Sequence, residues 1–304
     1  MNEFSVTILG SSSAIPTSTR FPSSQMVTHQ SKFYLVDCGE GTQIQLRKNQ
    51  IRFSKIEHIF ISHLHGDHFF GLIGLISSFN LLGRKTELHI YAAEKIEAVI
   101  NLQLEVSLTR LNYKITYHYL QFESKQLLFE NDSLEIYSFP LNHSIPTCGF
   151  LFQEKPHPRK IRKDILQKYD IPVYAFDEIK KGADFITELG EIIRNDEISK
   201  PGNPQRSYAY CSDTAFYSEL TKYISNVDLL YHEASFMEDK RKIAEEKKHS
   251  TTLDAAKTAK LVNAKTLIIG HFSARYKDFD ELLKEAKANF NNTLLAEENQ
   301  KYFI

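Results

Sequence analysis

The sequence predicts an α/β protein in which two mixed β-sheets pack face to face with helices outside. Three observations point there. Apolar runs of strand length alternate with longer stretches of helical period. A chain of 304 residues can bury the large core that such layers need. Residues able to bind metal follow directly on strand-like runs, and rigid strands fix the loops that carry ligands.

The strand-like runs cover 4–9, 33–36, 58–61, 88–91, 134–139, 149–152, 208–211, 227–231 and 266–269. Helical stretches cover 69–82, 95–109, 236–248, 253–261 and 279–290. No repeat of solenoid period is visible. One stretch differs. Residues 153–206 are rich in Pro, Lys, Asp and Glu and lack a strong apolar period. Because the runs on either side carry parts of one ligand set, this stretch reads as an arm inserted into a single domain of residues 1–304.

Bulk composition narrows the function classes. Hydrophobic content of 42% and charged content of 25% are ordinary for a soluble globular protein. A net charge of −1 argues neither for nor against nucleic acid, so any basic surface must be local. Cys38, Cys148 and Cys211 form no CxxC pair and read as buried, reduced thiols. No apolar run reaches membrane-spanning length, and Met1-Asn2-Glu3 does not begin a signal peptide. The expected location is the cytoplasm, with no membrane partner.

The densest chemistry is His63-Leu64-His65-Gly66-Asp67-His68, four candidate ligands in six residues. Three imidazoles and a carboxylate suit zinc, with manganese or iron as alternatives. His63 and His65 point to one side of an extended chain, and the backbone can turn at Gly66. One metal could not easily take all four, whereas two adjacent metals could share them. His143, Asp213 and His271 each follow an apolar strand further along. The seven side chains suffice for two zinc ions: His63, His65, His143 and Asp213 for one, Asp67, His68, Asp213 and His271 for the other, with the Asp213 carboxylate bridging.

The chain resembles the ribonuclease Z family of the metallo-β-lactamase superfamily over nearly its whole length. The HxHxDH core alone marks only the superfamily. The closer resemblance lies in Leu9-Gly10-Ser11-Ser12-Ser13-Ala14-Ile15-Pro16-Thr17, Asp37-Cys38-Gly39-Glu40-Gly41-Thr42-Gln43, Ser212-Asp213-Thr214, His232-Glu233-Ala234-Ser235, Lys248-His249-Ser250-Thr251 and Gly270-His271-Phe272-Ser273-Ala274-Arg275-Tyr276. It implies an αββα sandwich, two Zn2+ per subunit (Mn2+ as a possible substitute) and the same ligand assignment. The implied reaction is zinc-dependent endonucleolytic removal of the 3′ trailer from precursor tRNA, leaving a 3′-hydroxyl. It implies that Asp67 is both a ligand and the acceptor of the nucleophile's proton. It also implies homodimers in which the arm of one subunit clamps tRNA used by the other.

Other residues gain roles by position. His249 paired with Glu233 would be held in one orientation and kept basic, able to assist the scissile phosphate. Thr251 reads as a helix N-cap with Asp254 three residues on, which would mount His249 firmly. The alternative is that His249 ends helix 236–248 as a dipole partner. His232 is left out of the metal set. His29, His58, His89 and His118 read as structural. Ser273 and Arg275 are candidates to hold a phosphate, and Ser11, Ser12, Ser13 and Thr17 to line the RNA path. Lys155, Arg159, Lys160, Arg162 and Lys163 place five positive charges in nine residues of the arm, with no acid among them. Such charges give affinity and salt dependence without base specificity. The chain departs from the family at two places. Ile171-Pro172-Val173-Tyr174-Ala175-Phe176 stands where many bacterial relatives carry Gly-Pro, and Arg20-Phe21 stands for an Arg-Asn pair. The competing readings are a superfamily hydrolase of a small ester or phosphodiester and a non-catalytic RNA-binding protein. The KHST and HEAS segments and the basic arm argue against the first. The complete ligand set with Asp67 and His249 argues against the second.

Overall fold

A computed structural model describes residues 3–304. Met1 and Asn2, on which part of the amino-terminal reading rests, lie outside the described residues. The chain divides into two compact units. Among the described residues, the larger comprises 3–129, 136–152 and 207–304; the smaller comprises Glu130–Glu135 and Gln153–Arg206.

Two seven-stranded sheets dominate. The first takes β1 (Phe4–Gly10), β2 (Ser24–His29), β3 (Lys32–Val36), β4 (Ile56–Phe60), β5 (Leu88–Ala92) and β6 (Ile115–Tyr119) in chain order. The second takes β7 (Gln126–Glu130), β8 (Leu134–Pro140), β9 (Cys148–Glu154), β10 (Ser207–Cys211), β11 (Leu229–Glu233), β12 (Thr266–Gly270) and β13 (Thr293–Leu295). The last strand, β14 (Lys301–Phe303), returns to the first sheet beside β1. Both sheets are mixed, as expected. β1, β2 and β3 pair antiparallel, whereas β3 through β6 and β10 through β13 pair parallel. Parallel strands bring their carboxyl ends to one edge, where α/β sheets gather their ligands.

Helices cover the outer faces. Helix α1 (Thr42–Lys48), the single turn α2 (Gly66–Phe69), α3 (Leu72–Leu81) and α4 (Lys95–Val106) lie along the first part of the chain. Leu46, Leu75, Phe79 and Ile96 from these helices share one core with Leu35, Ile59 and Ile90 of the first sheet. Helices α5 (Arg241–Lys247), α6 (Thr252–Leu261) and α7 (Asp280–Asn289) follow. Ala255, Ala259, Leu282 and Ala286 of α6 and α7 share a second core with Leu230, Leu267 and Ile269. Between the sheets lies an aromatic layer. Phe60 stacks on Tyr91 at 4.4 Å and meets the edges of Phe150 and Phe152, and Tyr210 stacks on Tyr231 at 5.1 Å.

Several elements differ from expectation. The helix expected over 69–82 starts earlier and is split. Gly71 separates its two parts where the backbone closes on the loop after β3: a Cβ on Gly71 would stand 2.1 Å from the Gly39 carbonyl oxygen. The helix expected over 236–248 is α-helical only from Arg241. Phe236 instead bridges Thr251 as extended chain. β2 (Ser-Gln-Met-Val-Thr-His) was invisible to apolar patterning, yet all six residues are buried. The smaller unit has a core of its own, built on Ile171, Ile179, Ile193 and Ile198. Ile171, at the place of the departure from the Gly-Pro pair, is part of that core. Arg206 closes the unit with a bidentate pair to buried Glu154, at 2.6 and 3.0 Å.

Truncating Phe60 removes a ring enclosed by both sheets. Phe60→Ala is expected to lower unfolding stability by about 3–5 kcal/mol in a denaturant titration.

Candidate metal centre

Strand ends place every candidate ligand. Residues 61–65 leave β4 extended, and α2 then carries Asp67 and His68 on one helical turn. His143 follows β8, Asp213 follows β10 and His271 follows β12. Their ligand atoms form two sets. In the first, His65 Nδ1 lies 3.1 Å from His63 Nε2 and 3.2 Å from His143 Nε2. Asp213 Oδ2 lies 3.6 and 3.7 Å from those two Nε2 atoms. In the second, Asp67 Oδ2 lies 3.3 Å from His271 Nε2 and 3.6 Å from His68 Nε2. Asp213 Oδ1 lies 3.2 and 3.3 Å from the same two atoms.

These spacings test whether the residues fit a metal. Four atoms each about 2.0–2.1 Å from a zinc ion stand about 3.4 Å apart along the edges of the tetrahedron. Both sets match that edge. Hydrogen bonding within the chain does not account for them, because His68 Nε2 and Asp213 Oδ1 are buried without a hydrogen-bond partner. Buried polar atoms left unpaired are costly, and a cation supplies the missing partner. The donor set fits a divalent metal ion.

The rings are aimed by their other nitrogens. His68 Nδ1–H donates to Asp37 Oδ2 at 2.7 Å, and His143 Nδ1–H donates to the Lys248 carbonyl at 2.8 Å. His271 Nδ1–H donates to Ser235 Oγ at 2.9 Å, and that hydroxyl donates to Glu233 Oε2 at 2.9 Å. Ser62 Oγ donates to Asp37 at 2.9 Å and accepts from His63 Nδ1–H at 3.0 Å. This pattern leaves the Nε2 lone pairs of these four rings facing the two sets. Asp37, Ser62, Ser235 and Tyr210, whose hydroxyl donates to Asp37 at 2.6 Å, had no assigned role in the sequence reading. Asp37 was detectable: like Asp213, it is a carboxylate directly after an apolar strand.

The electrostatics are those of a closed cluster. Burial, then the neighbouring His68, hold His63 well below the ordinary imidazole range. Burial also disfavours a charge on His68, but Asp213, Asp37 and Asp67 outweigh it and raise its pKa well above that range. Burial would raise Asp213, yet His271 and His68 hold it well below the usual carboxylate range.

His249 and Glu233 stand beside the ligand sets. His249 Nδ1–H donates to Glu233 Oε1 at 2.8 Å and lies 4.0 Å from Asp213 Oδ2. Glu233 is fully buried and also accepts from the amides of Thr214, Ser235 and Ser250. Burial opposes a charge on His249, but the Glu233 carboxylate pushes its pKa up to about 9. Thr251 caps α6 with a full capping box to Asp254, two residues after His249. The seven-residue α5 ends before His249, whose side chain turns to Glu233 instead of the helix carbonyls. His232 is buried and bonds the Glu233 carbonyl. An open cleft of about 420 Å³ exposes the ensemble, with Ala14, Ile15, Pro16 and Phe70 on its walls.

The remaining candidates are placed as follows. Ser13 lines this cleft. Thr17 Oγ1 accepts from the Arg20 amide, and Ser11 Oγ accepts from the Arg20 guanidinium at 2.5 Å. Arg20, which precedes the departing Phe21, lies over the Phe279 ring at 3.9 Å. Arg275 is exposed, with its guanidinium 5.6 Å from the centre of the Phe236 ring. That ring in turn lies 6.2 Å from His249. His58 stacks on His89, and His118 on Tyr91, within the sheets. In the smaller unit the basic run is mostly partnered. Lys155 pairs with Glu130 at 2.7 Å, Arg162 with Asp164 at 2.8 Å, Arg159 bonds Ser199 and Lys160 bonds Asn203. Lys163 is exposed. The partners come from outside the run, which is why the run itself reads as uncompensated charge. The three cysteines are free and buried. No helix among the described residues is long and apolar enough to cross a membrane.

Asp37 is not in either ligand set, so its effect on metal binding must run through His68 and, via Ser62, His63. Asp37→Asn is expected to weaken metal affinity by about 10–100-fold in a chelator competition, with the fold retained by circular dichroism.

Comparison with known proteins gives this geometry its context. A family model described as anti-Pycsar protein Apyc1 matches residues 4–157, a stretch that ends before Asp213, His249 and His271. Full-length similarity runs to proteins called ribonuclease Z. That of Bacteroides fragilis is 48% identical over 299 residues, covering 98% of each chain. That of Porphyromonas gingivalis strain W83 is 46% identical, covering 99% of each. The crystal structure of human tRNase Z, short form, aligns with a TM-score of 0.72 at 28% identity over 98% of each chain. The metallo-β-lactamase fold protein YhfI of Bacillus subtilis aligns with a TM-score of 0.69 at 18% identity over the whole of both chains, which bears on fold alone. The two-sheet architecture is thus the metallo-β-lactamase fold, and the chain belongs to the ribonuclease Z family.

Proposed function

We propose that the chain is a tRNA 3′-processing endonuclease that works with two zinc ions and the His249–Glu233 pair. The activity class, a hydrolytic endonuclease, is that of its family. The observation that carries the mechanism is the convergence of two tetrahedral ligand sets on one carboxylate, with His249 4.0 Å from that carboxylate. His63, His65, His143 and Asp213 would hold one ion, and Asp67, His68, Asp213 and His271 the other. Manganese is a possible substitute. Bound there, the ions would supply Lewis acidity for the phosphate oxygens and lower the pKa of water enough for it to act as a nucleophile at neutral pH.

The chain's own residues do the rest. Asp67 is anchored at Oδ2 by the Ala14 amide at 2.7 Å and faces the cleft, placed to accept the proton of the attacking water. The P–O3′ bond breaks, and the departing oxygen takes a proton to become the 3′-hydroxyl of the tRNA. His249, held at Nδ1 by Glu233, offers a proton from Nε2 to the scissile phosphate and its leaving oxygen. Glu233 keeps the ring cationic and fixed while staying charged itself, through its three amide donors. Arg275 and the arm cations Lys155, Arg159, Lys160, Arg162 and Lys163 are the candidate phosphate contacts for the body of the precursor. The ion pairs of Lys155 and Arg162 are exposed and therefore weak enough to exchange for phosphate. We further propose a homodimer and a cytoplasmic location, where reducing conditions suit three free thiols.

Asp67→Ala and His249→Ala are each expected to lower kcat on a precursor tRNA with a 3′ trailer by about 10²–10⁴-fold. Precursor cleavage at the wild-type rate by both variants overturns the mechanism. The His249 role also sets a pH profile. An acid must be protonated to act, so kcat falls as pH rises through its pKa. That limb lies at or below pH 9, because cations in the two sites lower the value of about 9 that Glu233 sustains. His249→Ala is expected to flatten it.

A further inference from the structure

We propose that Phe70, with Ile15 and Pro16, forms a slot for the base of a nucleotide that flanks the scissile phosphate. The proposal rests on the precursor-tRNA reading above and adds the contact that seats the substrate at the metals.

Phe69 and Phe70 divide between two environments. Phe69 packs against the core of the first sheet, whereas Phe70 turns out and stays 59% exposed. An outward phenyl ring is ordinarily a small liability. Here it lines the catalytic cleft, and it is held in place. The ring lies on Gly66, where a Cβ would stand 2.2 Å from it. Phe69 meets it edge to face, with centroids 5.0 Å apart. Gly66 sits between His65 and Asp67, one residue from each ligand set. The ring is therefore anchored directly beside the atoms that would hold the reacting phosphate.

The rest of the wall suits a base and not a phosphate. Ile15 is 58% exposed on the same cleft, next to Pro16. No lysine or arginine lines the cleft, and the carboxylate outside the ligand sets is that of Glu40. Apart from His249 and the ions the ligand sets would hold, the lining offers a phosphate oxygen only the neutral Ser13 hydroxyl, and Glu40 repels one. A nucleobase needs the reverse: a fixed π-face, apolar walls and no competing charge. Single-stranded RNA is held in this way, by stacking of splayed bases on exposed aromatic rings. The nucleotides around the cleavage point of a trailer junction are single-stranded and free to splay.

The test uses the full-length enzyme with metal bound and a precursor tRNA carrying a 3′ trailer. Phe70→Ala is expected to raise KM about 5- to 100-fold, with a smaller change in kcat. Phe70→Trp is expected to restore KM, and Phe70→Leu, which keeps apolar bulk without a ring, to leave it raised. Metal content and melting temperature should match the wild type in the variants scored; if Phe70→Ala fails that check, Phe70→Leu carries the comparison. Abasic nucleotides placed on either side of the scissile phosphate identify the base. At one of the two positions the wild type should lose as much as Phe70→Ala loses, and the variant should lose nothing more. Wild-type KM in both Phe70→Ala and Phe70→Leu, or full additivity of the variant with both abasic sites, overturns the slot. A wild-type enzyme that leaves the intact precursor uncut overturns the tRNA reading, and the slot with it.

Discussion

Five imidazoles converge on the carboxylate of Asp213. His271, His68, His63, His143 and His249 all lie between 3.2 and 4.0 Å from it. Four of them turn acceptor lone pairs inward, so the arrangement is one of mutual repulsion unless positive charge fills it. Without metal, protons must do so, which is why burial fails to keep His68 neutral and why Asp213 stays charged. With metal, the same atoms become ligands, and the protons on them must leave. Folding, metal loading and protonation are therefore one coupled equilibrium in this molecule. The coupling spans both sheets, since His63, His65 and His68 come from the first and His143, Asp213 and His271 from the second. The aromatic layer between the sheets is what keeps their strand ends in register.

Holding such a cluster requires a buried polar scaffold, and that scaffold is complete where it matters. Asp37 accepts from Ser62, His68 and Tyr210, and Glu233 accepts from three amides, one hydroxyl and His249. A buried carboxylate is tolerable only with this degree of satisfaction. The backbone bears a share of the cost. Ala14, Asp37, Lys248 and His271 all adopt positive φ, between 53° and 63°. Each either belongs to a ligand set or bonds a member of one. Sparsely populated conformations at four such points mark a geometry imposed by the surrounding fold, in the manner of functional sites.

The sequence exposed the parts of this design that are chemically rare. Histidines and acids at the ends of apolar strands stand out against base composition, and the structure brings all seven candidates together. The capping box at Thr251 was legible because its spacing is fixed by helix geometry. What stayed hidden is carried by common residues. Ser62 and Ser235 act through single hydroxyls and leave no periodic trace. β2 hides because its buried Ser24 and Gln25 pair with the Asp37 carbonyl and the Tyr208 hydroxyl instead of alternating with apolar residues. The arm's partners were hidden in a different way. Its basic run contains no acid, but Glu130 reaches it from outside the insertion and Asp164 follows directly, so local sequence charge overstated free charge.

That pairing bears on how a ribonuclease Z of this kind recognises its substrate. Nonspecific affinity for RNA comes from cations that can trade counterions for phosphates. Among the described residues no lysine or arginine lines the cleft, and the arm's cations must exchange their present partners before they can bind phosphate. In the proposed mechanism, positive charge at the reaction centre comes from bound metal and His249. An empty or half-loaded centre would lose its grip on the scissile phosphate along with its chemistry. The proposed mechanism thus joins substrate binding and catalysis through the same charges.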